Sequence, residues 1–432
     1  MPHTSQPRLR TAEFPSPLLP RIAERLARRM LLSAIIALVV MVLPFLILEE
    51  RAIELAHEWD QLDAWGRFLL GFTAVAVFVL IPARAATWHW SSVSVRRAIE
   101  EQASSRRDWV AAPSQLDRDP VESRKGLRVC LWIYAVLCLL GGGPLFYLGL
   151  ADLAASDAME VLGVGGGLLA VGAVLALCAQ RLRRGFQPRS PRKTWSDDQV
   201  AVTGHIRDAA AAQRTRRLPG RVRLARTMAR VLLALQGGFV TLTALATTAG
   251  VVTRQPCRDC DPRSFGPDLE VVLDRFWLAV GALALLTAAI LLVWGLAEVV
   301  AAALTRRELL RWLQQGRVDD VRPEEEVLLA AVDETGGPWA RVGHHAALWT
   351  TGPLLGGAAW LVVGAAGHTA YADHPGIGTT LLSVGLVMLG LCVAATVIDE
   401  KSSPAVRNRI RQAWPVQEHS DKAADEVPAQ SS

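Results

Sequence analysis

The sequence predicts an all-α, polytopic membrane protein: eight transmembrane helices arranged as four hairpins, with both termini cytoplasmic. Three observations predict it. Apolar residues make up 51% of the 432 and come in uninterrupted blocks near 20 residues, with the charges between them. That is the length and patterning of a bilayer span. Many Trp residues stand at block edges (Trp65, Trp88, Trp90, Trp132, Trp277 and Trp349), where an amphipathic ring suits the lipid–water interface. The bases are placed asymmetrically. Forty of the 46 lie in the terminal segments and the three long connectors, and six in the four short loops, which carry 15 acids. The positive-inside rule then puts the long segments in the cytoplasm.

Taken in order, residues 1–29 form a cytoplasmic N-terminal segment, Pro- and Ser-rich at first and ending in Arg21, Arg25, Arg28 and Arg29. Hairpin 1 covers 30–83. Its first span, 30–48, is followed by Glu49 and Glu50 rather than an Ala-x-Ala site, so it reads as a retained span and not a cleaved signal. In the loop 49–67, Leu55, Trp59 and Leu62 fall at i, i+4 and i+7, predicting a surface-lying helix. The second span is 68–83. The connector 84–128 is polar and helix-prone.

Hairpin 2, 129–179, joins the spans 129–150 and 161–179 through an acidic turn. The connector 180–230 is the most basic stretch, with 14 bases against three acids; Ser196-Asp197-Asp198-Gln199 has the spacing of a capping box. Hairpin 3, 231–304, holds the spans 231–252 and 276–304. The connector 305–345 is predicted to hold two helical stretches, the second opening with Pro323 and running through Glu324, Glu325 and Glu326. Hairpin 4, 346–398, holds the spans 346–366 and 376–398. In the tail, 399–432, Ser403-Pro404 predicts the start of a short surface helix with Val406, Ile410 and Trp414 on its apolar face.

The odd spans begin near 30, 129, 231 and 346, each preceded by an arginine: Arg29, Arg128, Arg230 and Arg341. Pro44 and Pro144 occupy similar depths in their spans. This period fits duplicated hairpins, although the positive-inside rule alone also places an arginine there.

Composition bounds function. Only four bases are Lys (Lys125, Lys193, Lys401 and Lys422); with abundant Ala, Gly and Pro this is the bias of a GC-rich bacterium, so the expected location is a bacterial plasma membrane. The formal charge of +5 is explained by topology and by attraction to anionic lipid. No reader motif accompanies it, so nucleic acid is not an expected partner. The expected partners are the lipid bilayer and a membrane or cytoplasmic protein. There is no phosphate-binding glycine loop followed by Lys, no kinase signature and no nucleophile elbow. No cofactor and no metal are expected.

Within the spans the one charged residue is Glu298, near the cytoplasmic end of its span, where it reads as an interfacial carboxylate. Two spans are interrupted in pattern. Gly141-Gly142-Gly143-Pro144 lies in the third. Thr350-Thr351-Gly352-Pro353, with Gly356 and Gly357, lies in the seventh. Proline removes a backbone donor and glycine allows unwinding, so freed carbonyls at corresponding positions point to a substrate site; the alternative is close helix packing. Gln236, Thr243 and Thr247 form a polar stripe on the fifth span, lining a pathway or bonding a neighbouring helix. Cys257 and Cys260 lie in an external loop and are expected to form a disulfide there, with thiol exchange and metal binding as the alternatives. His368, Tyr371, Asp373 and His374, with His57, have the types but not the spacing of a metal site. These features rank a permease-like component for a neutral or apolar solute first and a non-catalytic scaffold or regulatory subunit second. An enzyme acting on lipid or thiols is third.

Overall fold

The computed structural model describes residues 10–12, 16–55, 60–103, 109–111, 115, 120–151, 158–184, 214–254, 265–316, 321–332, 337–367 and 369–414. The chain is overwhelmingly helical. The helices are α1 (Leu18–Leu55), α2 (Asp60–Val75), α3 (Ile81–Ala103), α4 (Pro120–Ala151), α5 (Ala158–Arg184), α6 (Gly220–Arg254), α7 (Pro267–Gln314), α8 (Glu325–Val332), α9 (Pro338–Ala365), α10 (Thr369–Ala372) and α11 (Pro375–Ala413). Among the described residues seven helices are long and apolar enough to cross a membrane, and they cover the predicted second to eighth spans. The predicted first span lies within α1. The apolar side chains are turned outward: Leu278, Leu285 and Val387 are 76%, 75% and 74% exposed. In water such a surface would aggregate; a lipid solvent explains it.

Several helices outrun the spans predicted for them. α2 and α3 join through a π-helical turn, Ala76–Leu80. Pro82 supplies the cause: it has no N–H for the carbonyl four residues back, and a π turn is a common way to absorb such a defect. Tyr134 donates its hydroxyl to the Val77 carbonyl at 2.6 Å, which satisfies an acceptor in that turn. α7 runs 48 residues without a break, so the first helix expected in the connector 305–345 is its continuation. The second begins at Glu325, because Pro323 belongs to a short strand. The separate surface helix expected from Ser403 is corrected as well. α11 continues through Pro404 to Ala413, and Ile410 and Trp414 are fully buried in protein rather than laid on a membrane. The expected capping box at Ser196 and the tail beyond Trp414 lie outside the described residues.

Two short parallel strand pairs were not expected. β1 (Arg10–Ala12) pairs with β2 (Trp109–Ala111), and β3 (Arg214–Arg216) with β4 (Val321–Pro323).

The chain divides into two compact units. The first takes its described residues from Met1–Arg28 and Val77–His205. Its main contact is α4 against α5, antiparallel and glycine-mediated. A Cβ on Gly142 would lie 2.9 Å from the Gly165 carbonyl, and one on Gly172 3.2 Å from that of Ala135. α3 packs on α4, with Trp88 over Gly126 and His89 Nδ1 3.2 Å from Ser123 Oγ.

The second unit takes its described residues from Arg29–Ala76 and Ile206–Glu418. α9 and α11 pack antiparallel through Gly357, whose Cβ would meet Leu382 N at 2.5 Å, and Gly385, whose Cβ would meet Leu354 Cα at 2.6 Å. Such approaches bring whole backbones together and maximise dispersion contact where no hydrophobic effect acts. α2 lies on α9 through Gly71 and Phe68. α6 and α7 meet at Gly250 under Trp277 and at Thr243 facing Thr287, 3.3 Å apart.

At the charged ends of these helices the second unit builds a conventional water-type core. Leu218 lies just before α6 and Val222 in its first turn, and Leu309 and Trp312 come from the end of α7. Val327, Leu328 and Val332 come from α8, and Ile410 and Trp414 from the end of α11. Trp414 donates to the Val321 carbonyl at 2.8 Å, tying α11 to β4. Trp312 donates to Glu308 at 3.2 Å and stands edge-on to Trp414. Three segments distant in sequence are thereby fastened into one platform.

Candidate functional site

The residues singled out in the third and seventh spans sit in unbroken helices. α4 runs through Pro144 and α9 through Pro353. Gly142 is buried against α5, whereas Gly141 and Gly143 face open space or graze one side chain. Thr350 and Thr351 are fully buried, and their hydroxyls donate to the carbonyls of Ala346 at 2.6 Å and Ala347 at 2.7 Å. Each hydroxyl has one proton to donate, and both are spent within α9. Gly352 has nothing within 4 Å of its Cβ position.

Of the polar stripe on α6, Thr243 donates to Phe239 O and faces Thr287, and Thr247 donates to Thr243 O. Gln236 Oε1 is buried without a hydrogen-bond partner among the described residues. Cys257, Cys260, His57 and His368 lie outside the described residues. No group of three His, Cys, Asp or Glu side chains able to hold a metal occurs among the described residues.

The structure instead concentrates polar chemistry where α6, α7, α9 and α11 leave their apolar stretches, all within the second unit. Asp399 is fully buried and accepts from Ser403 Oγ at 2.6 Å. Arg306 donates to the same Ser403 Oγ at 3.1 Å and to Ser402 O at 3.3 Å. Gly337, at the start of α9, leaves room for this cluster: a Cβ there would strike Asp399 Oδ1 and come 3.0 Å from Ser403 Oγ. Glu400, Arg407 and Arg411 are buried beside it on α11. On the α1 side, Arg29 donates to Thr396 at 2.7 Å. Arg29 and Arg341 both stand immediately before an apolar stretch, as the sequence indicated.

Glu298, read from sequence as an interfacial carboxylate, pairs with Arg341. Next to that pair opens a cavity of about 230 Å³. Four arginines line it: Arg226 and Arg230 from α6, Arg306 from α7 and Arg341 from α9, with Glu298 and Glu326 as the carboxylates. Glu326 Oε1 accepts from both Arg226, at 3.1 Å, and Arg230. Four guanidiniums against two carboxylates leave the lining positive.

Sequence reasoning missed Asp399, Glu400 and the inward face of α11. The signal was present: Asp399, Ser403 and Arg407 recur at i, i+4 and i+8 and share one helical face. Reading Pro404 as a helix start hid it.

Fold and site together define a class no finer than a multi-helix protein whose apolar helices carry a folded, polar-lined platform at one end. No family model matches the chain, and no curated protein or solved structure matches it.

Proposed function

We propose that the chain is an eight-span plasma-membrane protein of a bacterium, N-in and C-in, arranged as four hairpins, and that it acts as a non-catalytic scaffold or regulatory subunit. α1 would supply the first span. The base asymmetry supports the orientation and puts the platform in the cytoplasm. The observation that carries the functional reading is that platform. Leu218, Trp312, Val327 and Trp414, from two connectors and the tail, share one core, where connectors serving only to link spans need no core at all. A rigid cytoplasmic surface fixed to membrane helices is suited to hold a protein partner at the bilayer.

The permease-like reading is the second. Gln236, with its carbonyl buried and unmatched among the described residues, is the feature that favours it, since a solute donor would complete it. The double variant Pro144→Ala, Pro353→Ala separates the readings: a permease using those turns loses its flux, whereas a scaffold keeps its complex.

The direct test is purification from native membranes in mild detergent with determination of the complex mass. A stoichiometric second subunit, lost when the platform is disrupted by Trp414→Ala, is expected. A lone monomer or homo-oligomer would refute the scaffold reading.

A further inference from the structure

We propose that the arginine-lined cavity binds a phosphate group, presented by an anionic phospholipid of the surrounding leaflet or by a soluble phosphorylated compound. The inference goes beyond the scaffold reading and does not depend on it.

The lining has the right charge and unspent donors. Among the described residues the hydrogen bonds of Arg306 go to neutral oxygens, Ser403 Oγ and Ser402 O, with the charge of Asp399 acting on it from nearby. The Arg341 Nε is buried and without a hydrogen-bond partner among the described residues, although its Nη1 holds Glu298. Arg230 and Glu326 are 65% and 67% exposed at their side chains, so their ion pair is solvent-screened and readily exchanged for another anion. A phosphate offers several acceptor oxygens, and planar guanidiniums match them in pairs. The walls beyond the charges are Ala229, Ala301 and Ala302, small residues that leave the guanidiniums accessible.

Position favours lipid as the source. Arg230 is followed at once by the apolar stretch that begins with Val231, and Arg306 closes the apolar stretch of α7. The four guanidiniums therefore stand at the level where apolar helix gives way to polar protein, which in a bilayer is the headgroup layer. Basic pockets between helices at that depth are where anionic headgroups seat.

The full-length protein, reconstituted in phosphatidylcholine nanodiscs, would be titrated with cardiolipin in one arm and with inorganic phosphate in the other. Saturable binding is read by native mass spectrometry and by the shift in melting temperature. The pocket variant is Arg226→Gln, Arg230→Gln, Glu326→Gln, which removes two guanidiniums without stranding a carboxylate. Arg230→Gln alone is the milder variant should the triple fail to fold. Arg96→Gln, remote in sequence and outside the cavity, is the control.

Expected are at least a tenfold loss of binding in the triple variant, a smaller loss in the single one and no change in the control. Binding of cardiolipin but not phosphate identifies a lipid headgroup; binding of both identifies a soluble phosphate compound as an equal candidate. Equal binding by wild type and pocket variants, or no saturable binding in either arm, overturns the proposal.

Discussion

Replacing Trp414 by alanine is the sharpest test of the platform. The side chain is fully buried, stands 6.5 Å from the Trp312 ring and donates to Val321 O at 2.8 Å. Removing a buried Trp costs about 3–5 kcal/mol through lost contact and the cavity left behind. The orphaned carbonyl of Val321 falls within that range if water reaches it, and adds about 1–3 kcal/mol if it does not. With each 1.4 kcal/mol worth a factor of ten, about 4 kcal/mol raises the open population of the platform by roughly three orders of magnitude. Trypsin reports this, because Arg311 and the buried Arg411 lie on segments the tryptophan clamps. Where opening and closing are fast, cleavage tracks the open population. Cleavage at these sites in native membranes should therefore accelerate by about a hundredfold or more. Trp414→Phe, which keeps a ring and loses the indole donor, should lose only about 1–2 kcal/mol. If Trp414→Ala leaves cleavage within twofold of wild type, the platform is not a cooperative unit and the scaffold reading loses its support.

The remaining predictions use the same purified protein. Gly142→Ala places a methyl 2.9 Å from Gly165 O and Leu168 Cβ and should cost about 1–3 kcal/mol by overpacking. Gly143→Ala, with nothing within 4 Å, should stay within about 0.5 kcal/mol; melting in detergent compares the two. Asp399→Ala strips Ser403 of its acceptor and removes a negative charge that acts on Arg306. It should lower the melting temperature, and Asp399→Asn should recover part of the loss by keeping an acceptor. A fluorescent-protein fusion after Trp414 should glow and an alkaline phosphatase fusion there should be silent, with the reverse at loop 253–275; any other pattern overturns the proposed orientation.

Much of the fold was legible because a bilayer span is a local signal. Twenty apolar residues declare themselves without knowledge of neighbours, so the predicted second to eighth spans fall in seven long apolar helices. Helix ends were not legible in the same way. α7 and α11 extend roughly three and four turns past their apolar stretches, because their continuations, Leu309, Trp312, Ile410 and Trp414, find one another across the fold. That pairing is tertiary, and it overrides the local tendency of Pro404 to end or begin a helix. Proline in a helix interior loses one hydrogen bond and crowds a carbonyl, a cost that a fully buried Ile and Trp can offset.

The same logic explains why the site was only half visible. Glu298 and Arg341 stood out singly, one as the lone acid in a span and the other as an arginine before an apolar stretch. That they form a pair depends on α7 lying beside α9, which no spacing along the chain encodes. Arg226, Arg230 and Arg306 were counted as topogenic charges, and any arginine near a span end satisfies that rule equally well. Orientation requires only that bases be on one side; it does not require four of them to line one cavity with two carboxylates. A cluster assembled merely to fix topology would point its guanidiniums into solvent, as Arg409 does. Arg306, held between Ser402 and Ser403, is half-buried, and the nearby Asp399 offsets only part of what desolvation costs its charge. A charge so placed is costly, and an anion arriving in the cavity recovers part of that cost. The phosphate titration therefore probes the one part of the charge pattern that topology does not account for.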